Sequence, residues 1–205
     1  MAILSSLQSP ADAANAVLVR LGKHERVGSL FDGSAAGKRF LDIFGQTRDA
    51  VLREHDWDFA QRDIVLTLLK TAPVTGYLLP GSWNPVTNPP IPWFYEYQFP
   101  TDCLKVRTLK SSTPTMAINF DPKTVLYTEA NDNNFTPAQK VILTNMQNAA
   151  AVYTGRVTDP STWDASFGEA LIAALARRFA GDPELMKIEG QDEGSSLAVA
   201  SQERG

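Results

Sequence analysis

The stretch LREHDWDFAQRD, Leu52–Asp63, is where the chain changes from one kind of structure to another. It begins like the end of a charged helix and then places Trp57 and Phe59 two residues apart. Side chains two residues apart share a face of a strand, whereas a helix repeats every three or four residues. The spacing predicts a corner from helix to strand, with Trp57 and Phe59 as a structural hinge between a helical part and a sheet.

His55, Asp56 and Asp58 in the same stretch could instead form a catalytic cluster. The chain has only two histidines, and the other one, His24, lies far away in sequence. Solvated turn residues and caps are the simpler interpretation of these side chains. We therefore predict a structural role for the stretch.

Two helices are predicted before this corner. The first begins with Ser9 as a cap and Pro10 at the first helical position, and Gly22 ends it. The second runs from about Ser34 to Arg53, with apolar residues recurring at three- and four-residue spacing. Both helices are expected to pack through one apolar face.

The segment after the corner differs in character, because ten of the thirteen prolines lie between Pro73 and Pro137. Proline lacks a backbone donor and breaks helices, so long helices are excluded there. Short alternating or β-branched runs predict five to seven mostly antiparallel strands. The candidates are IVLTLL (64–69), WFYEYQFP (93–100), CLKVRTL (103–109) and, more weakly, AINF (117–120), TVLYTEA (124–130) and AVYTGRV (151–157).

Two of these runs show clean alternation between two faces of a strand. The first places Tyr95, Tyr97 and Phe99 on one face, opposite Glu96 and Gln98. The second places Leu104, Val106 and Thr108 opposite Lys105 and Arg107. Each run is therefore expected to cover a core with one face only.

A long irregular loop, Pro73–Trp93, separates the first two strands, and six prolines fall within its first twenty residues. Long loops in compact domains are usually functional or disordered. Tyr77, Trp83 and Trp93 are its large aromatic residues, and exposed aromatics favour a contact with another molecule. The alternative is that they fold back onto the sheet's own core.

The chain returns to helix in DPSTWDASFGEALIAALARRFAGD (159–182), where Phe167, Leu171, Leu175 and Phe179 form one apolar stripe. The remaining tail, Pro183–Gly205, has two internal glycines and few apolar residues, so it is a poor helix on its own. We expect the tail to need a partner. Its apolar anchors are Leu185, Met186, Ile188, Leu197 and Val199.

The order of elements predicts an α+β fold, in which a helical bundle from both ends of the chain carries an inserted, mostly antiparallel β-domain. Residues 1–62 and 158–205 are assigned to the bundle and its C-terminal tail. Residues 63–157 are assigned to the β-domain, with the proline-rich loop at 73–93.

Composition narrows the class of protein. The chain has 205 residues and a net charge of −4, and nine acidic against four basic residues lie in 159–205. The single cysteine, Cys103, excludes an intrachain disulfide and fits a reducing cytoplasm. The N-terminal segment shows no signal-peptide pattern, and no apolar run is long enough to predict a membrane span.

Catalytic and metal-binding motifs are weak. GSAAGKR (33–39) has only three residues between its glycines and no Ser or Thr after Lys38, so it does not match a phosphate-binding loop. Carboxylate pairs such as Asp56/Asp58 and Asp192/Glu193 lack the spacing of a calcium loop. Cys103 lies in an alternating strand, where a plain strand residue is the simpler interpretation. We expect neither enzymatic activity nor a metal or cofactor.

Nucleic-acid recognition is also weakly indicated. Lys105, Arg107 and Lys110 follow one strand, but the chain has no recognition-helix signature and no basic stripe. A surface that only lets DNA pass would not need either feature.

Four segments, in order, resemble the phage head-to-tail adaptor family, which includes the tail tubular protein A of short-tailed phages. They span about residues 10–182, except that Pro73–Trp93 has no counterpart. The segments are AANAVLVRLGKHERVGSLFDGSAAGKRF with its link Val27, Ser29, Leu30 and Asp32, then RDAVLREHDWDFAQRDIVL, YEYQFPTDCLKVRTL and YTGRVTDPSTWDASFGEALIAALARRFAG.

The resemblance implies a structural virion protein that is made in the host cytoplasm and forms a dodecameric ring under the portal protein. Such a ring extends the DNA channel without sequence-specific binding and provides a platform for a tail, nozzle or stopper protein. In the family the C-terminal segment commonly docks on the portal, and here that segment is Pro183–Gly205. The alternatives are a tail-side connector or stopper, and a monomeric β-domain that binds a sugar or peptide through the aromatic loop.

Overall fold

The computed structural model describes residues 7–74, 76–77, 81–113 and 125–181. The fold is mixed α+β, with three α-helices and two antiparallel sheets among these residues. The chain divides into two units, which are named here by their content. The helical unit is Met1–Glu54 with Val157–Gly205, and the β unit is His55–Arg156.

Three helices form the described part of the helical unit: α1 (Pro10–Arg20), α2 (Ala35–Glu54) and α3 (Ala165–Ala180). A capping box begins α1, with Ser9 as the predicted cap and Asp12 as its partner. The Ser9 hydroxyl accepts a hydrogen bond from the Asp12 N–H at 3.2 Å, and the Asp12 carboxylate accepts one from the Ser9 N–H at 2.8 Å. These bonds satisfy backbone donors that a helix start leaves unpaired.

The start of α2 explains the glycine pattern that superficially looked like a phosphate-binding loop. The Ser34 hydroxyl accepts a hydrogen bond from the Gly37 N–H at 2.9 Å, and Asp32 accepts one from the Ser34 N–H at 2.9 Å. A Cβ atom at Gly37 would lie 2.7 Å from Asp32 Oδ1. Gly37 is therefore needed for the close packing of a helix cap.

Helix α3 packs against both α1 and α2 through the predicted apolar stripe. Phe167, Leu171, Leu175 and Phe179 are all buried, which confirms that prediction. Phe179 stacks on Phe40 of α2 with ring centroids 4.4 Å apart. Burial of large side chains supplies most of the stability of such a helical core.

Seven strands make up the β unit, and every pairing is antiparallel. They are β1 (Gln61–Val65), β2 (Leu68–Thr71), β3 (Tyr95–Gln98), β4 (Cys103–Ser111), β5 (Tyr127–Asp132), β6 (Gln139–Thr144) and β7 (Ala149–Gly155). One sheet has the order β1-β7-β4, and the other has the order β2-β3-β6-β5.

Both sheets contribute to one core. Its buried members are Leu66, Tyr97, Phe99, Val106, Leu109, Ile142, Ala149, Ala151 and Tyr153. The Tyr127 hydroxyl on β5 donates to the Val106 carbonyl on β4 at 3.1 Å, so a hydrogen bond also joins the two sheets.

The predicted strands need three corrections. IVLTLL is split between β1 and β2, and Ile64 and Val65 on the edge strand β1 are exposed. The alternation in β4 changes phase at an irregularity between Val106 and Thr108, so the buried residue is Leu109. Strand β6 was not predicted, and AINF lies outside the described residues.

The corner at Trp57 and Phe59 is real, but its expected strand spacing is wrong. Asp58–Ala60 forms a short 3-10 turn, and β1 begins only at Gln61. Trp57 and Phe59 are half-buried and their rings lie 6.3 Å apart, whereas Ala60 is fully buried. Arg107 fixes the corner within the β unit by donating to the Trp57 carbonyl at 2.5 Å.

Candidate functional site

The proline-rich loop is folded onto itself and onto the edge of the β2–β3 pair. The hydroxyl of Tyr77 donates to the carbonyls of Pro89 and Trp93, and the indole Nε1 of Trp83 donates to the Pro89 carbonyl at 2.9 Å. Asn88 donates to the carbonyl of Thr71, the last residue of β2, at 2.8 Å. These bonds give a loop without regular structure a defined conformation.

The three predicted contact residues differ in exposure. Tyr77 and Trp93 are half-buried, and the Tyr77 hydroxyl donates to the Trp93 carbonyl, while Trp83 is exposed. Four further apolar residues in or beside the loop are also exposed and were missed. Together with Trp83 they are called the loop patch, which consists of Val74, Trp83, Val86, Ile91 and Phe94, each 41% exposed or more.

Beneath the loop, the four-stranded sheet holds three buried ionisable side chains: Lys70 on β2, Glu96 on β3 and Asp132 on β5. Lys70 donates a hydrogen bond to the Asp132 carboxylate, and its Nζ lies 3.6 Å from Glu96 Oε1. Their exposed fractions are 7%, 1% and 7%. Charged groups are almost never buried this deeply unless they are paired.

The two carboxylates respond differently to burial. Burial, together with a hydrogen bond to Asp132, raises the pKa of Glu96 to about 7 despite the nearby charge of Lys70. Burial also acts to raise the pKa of Asp132, but hydrogen bonds from Lys70 and Asn134 outweigh it and lower that pKa to about 2. Asp132 is thus the ionised partner of Lys70, and Glu96 is close to half-protonated near neutral pH.

The ion cluster is tied directly to the loop. The Pro85 carbonyl accepts hydrogen bonds from Lys70 Nζ at 3.3 Å and from the Asn134 amide at 3.0 Å. The same Asn134 amide donates to Asp132 at 2.7 Å. The buried charges therefore hold a backbone group of the loop against the sheet.

A cavity of about 240 Å³ lies between the loop and this cluster. The loop contributes Trp83, Pro85, Asn88 and Pro90 to its walls, and the sheet contributes Lys70, Glu96, Val141 and Leu143. Residues 130–134, at the end of β5 and the turn after it, complete the lining. An apolar pocket with a few converging polar groups is the usual form of a ligand site.

The three-stranded sheet has ionic side chains as well, but these are at the surface. Lys105 pairs with Asp56 at 2.9 Å, Lys110 pairs with Asp63, and Arg62 pairs with Asp102 at 2.5 Å. The lysines on β4, Lys105 and Lys110, are thus paired with acidic side chains. Their partners reduce the positive potential that a nucleic-acid surface requires.

The remaining candidate residues are the cysteine, the possible metal ligands and the portal anchors. Burial raises the pKa of the Cys103 thiol to about 12, which disfavours the thiolate that a nucleophile needs. Within the described residues, no group of three or more His, Cys, Asp or Glu side chains could hold a metal ion. None of the described helices is long and apolar enough to cross a membrane. The predicted portal anchors Leu185, Met186, Ile188, Leu197 and Val199 lie outside the described residues.

Sequence reasoning missed the buried cluster. The sequence patterns assign no role to Lys70 and place Glu96 on the polar face of its strand. The available signal was the position of Lys70 directly after the apolar run VLTLL, in a strand beside the long loop.

No protein-family model matches the chain, and no curated protein matches it either.

Proposed function

We propose that the protein is a head-to-tail adaptor of a bacteriophage, which forms a dodecameric ring under the portal protein and carries the tail. The observation that supports this best is the order of elements. Helices from both ends of the chain, α1, α2 and α3, pack together, and the β unit is formed by the residues between them. The four family-like segments occur in the same order along the chain.

In this proposal the helical unit forms a bundle into which the β unit is inserted. The proposed role is structural and non-enzymatic, within the virion at the junction of head and tail. DNA passes through the ring without sequence-specific contact, and Pro183–Gly205 docks on the portal. Residues 182–205 carry six acidic and two basic residues, so the attraction of this tail to a basic portal surface should weaken as salt rises.

The test is a measurement of mass, with negative-stain imaging, on the chain alone and mixed with the portal protein of the same phage. Rings on the portal are the expected result. The portal mixture is essential, since a chain that is monomeric alone can still assemble on its platform. A monomer in every mixture, without portal binding, would rule out the adaptor.

The loop patch is the proposed contact with the tail or with a neighbouring subunit. Exposed apolar side chains on a hydrogen-bonded loop can bind a partner with little ordering cost. Ile91→Asp with Val86→Asp should weaken tail attachment by about tenfold or more while portal binding is retained. Leu126→Asp, at an exposed apolar residue outside the loop, is the matched control. Unchanged attachment in the double variant would remove the patch from the tail interface.

A second candidate function is a monomeric ligand-binding β-domain, and the cavity beneath the loop is the observation that favours it. The same mass measurement separates this candidate from the adaptor. A ligand-binding domain should be a monomer that binds a ligand and forms no ring. A tail-side connector or stopper is the third candidate. A connector or stopper would bind the tail but would not bind the portal protein.

A further inference from the structure

We propose that the cavity between the proline-rich loop and the four-stranded sheet binds a guanidinium group, with Glu96 as its carboxylate acceptor and Trp83 beside it as an apolar wall. This inference goes beyond the adaptor role and does not depend on it.

The first reason is charge. Among the described residues that line the cavity, the ionisable ones are Lys70, Glu96 and Asp132. Asp132 takes the hydrogen bond from Lys70, and Glu96 Oε1 lies 3.6 Å from the same Lys70 Nζ, so two buried carboxylates share one cation. A buried carboxylate without a full partner is costly, and a bound cation would relieve that cost.

The second reason is an unsatisfied acceptor. Glu96 is 1% exposed, and its Oε1 atom has no hydrogen-bond partner within the described part of the chain. The raised pKa of Glu96, about 7, has burial as its largest cause. A ligand that donates to this oxygen would satisfy a group that buried proteins rarely leave unpaired.

The third reason is shape, and it selects guanidinium over a simple ammonium. The residues that line the cavity include Trp83, Pro85 and Pro90. A guanidinium is flat, stacks on aromatic faces and loses its hydration more easily than an ammonium. Asn131 and Asn133, also in the lining, can accept further N–H groups through their amide oxygens.

The test is an NMR titration of the full ¹⁵N-labelled chain with N-acetyl-L-arginine amide. The matched probe is N-acetyl-L-citrulline amide, which keeps the shape but is neutral. We expect the arginine probe to shift the side-chain amide signals of Asn131 and Asn133, and the citrulline probe to bind about tenfold more weakly. Equal affinity for the two probes, shifts confined to other residues, or no binding at all would overturn the proposal.

Protein variants give the second measurement. Glu96→Gln should weaken arginine-probe binding by about tenfold, because a charge-assisted hydrogen bond is lost. Glu129→Gln is the matched control, since this carboxylate on β5 pairs with Lys140 at 2.6 Å and does not line the cavity. Undiminished binding by a folded Glu96→Gln protein would overturn the assignment.

The wild-type chain provides an internal check if Glu96→Gln fails to fold. The charged groups that face Glu96 are Lys70 on β2 and Asp132 on β5, while β6 contributes the apolar Val141 and Leu143. Protonation of Glu96 should weaken binding by about tenfold between about pH 8 and about pH 6. Affinity that is constant over this range would exclude Glu96 as the acceptor.

A guanidinium can come from a free ligand or from an arginine side chain of a partner, and a competition arm separates these sources. Only this arm depends on the proposed adaptor role. If the arginine probe, and not the citrulline probe, displaces the chain from portal or tail, the source is a partner's arginine. If the probe binds the isolated chain without such displacement, the source is a free ligand.

Discussion

The β unit contains ionic side chains in two opposite environments, with one such set on each sheet. On the three-stranded sheet, the paired side chains of Arg62, Lys105, Lys110 and their acidic partners are 33% to 56% exposed. In the four-stranded sheet, Lys70, Glu96 and Asp132 are at most 7% exposed. Solvent screens the first set, whereas the second set interacts in a medium of low dielectric constant.

The difference shows that ion pairs in this protein have two separate roles. Surface pairs cost little to form and contribute little, so they serve mainly solubility and strand register. Burying charged side chains costs desolvation free energy. A buried ion cluster is therefore best explained by a second role, such as holding another part of the chain in position. Here the fixed element is the Pro85 carbonyl, and with it the loop that carries the patch.

The largest expected effect is the loss of the buried cation. Lys70→Met should lower the free energy of unfolding by about 3–5 kcal/mol, because two buried carboxylates are left without their cation. Urea unfolding at neutral pH measures this change. If Lys70→Met lowered the unfolding free energy no more than substitution of a surface lysine does, water would reach the cluster and the two sets of ion pairs would not differ.

The second effect is a dependence on pH with an unusual sign. The pKa of Glu96 is raised from 4.5 to about 7, so the folded state holds this proton more tightly than the unfolded state. Its contribution to stability is complete below about pH 4.5 and is lost as the pH rises through about 7. We expect the free energy of unfolding to fall by up to about 3 kcal/mol over this window.

Urea unfolding at a series of pH values checks this expectation. Glu96→Gln should flatten the dependence of the unfolding free energy on pH, and Glu129→Gln on β5 of the same sheet should keep it. Asp132 provides a separate window, because its pKa is lowered to about 2 and its contribution is lost only as the pH falls through that value. A slope that persists in Glu96→Gln would assign the pH dependence to another group.

The contrast between the sheets also explains what sequence patterns could predict. The apolar stripe of α3 and the alternation in β3 depend on neighbours a few residues away. The alternation correctly separates the face of Tyr97 from that of Glu96, but the prediction that only one face is buried is wrong, because Glu96 is buried as well. The burial of Glu96 depends on the loop, whose residues Trp83, Pro85, Asn88 and Pro90 line the same cavity. The loop that covers this polar face is distant in sequence. The local alternation of residues therefore cannot predict that Glu96 is shielded from solvent.

A similar argument applies to the corner. Its two-residue aromatic spacing predicted a strand, but the backbone turns at Asp58–Ala60. What stabilises the turn is Arg107, which lies on β4 and is remote in sequence. The chain changes from helix to sheet where the pattern indicated, for a reason that the pattern did not contain.

Arg107 gives the third prediction, because it is the buried exception on the three-stranded sheet. Its side chain is 8% exposed and donates to the Trp57 carbonyl at 2.5 Å and to the Thr154 hydroxyl at 2.9 Å. Arg107→Ala should cost about 1.5–3 kcal/mol, since buried acceptors lose a charged donor. Thermal unfolding measures the loss, with Lys105→Ala as the exposed control on the same strand. Equal losses in the two variants would remove Arg107 from the comparison.

The smallest effect is expected at the surface pair of Lys110 and Asp63. Both side chains are nearly half exposed, so their attraction is screened and the cost of ordering two side chains offsets it. Lys110→Met should change the free energy of unfolding by about 0–1 kcal/mol. A double-mutant cycle with Asp63→Asn isolates the pair, and its coupling energy should shrink further as salt is added. If the coupling energy were as large as the loss of unfolding free energy in Lys70→Met, solvent exposure would not determine how much an ion pair stabilises this protein.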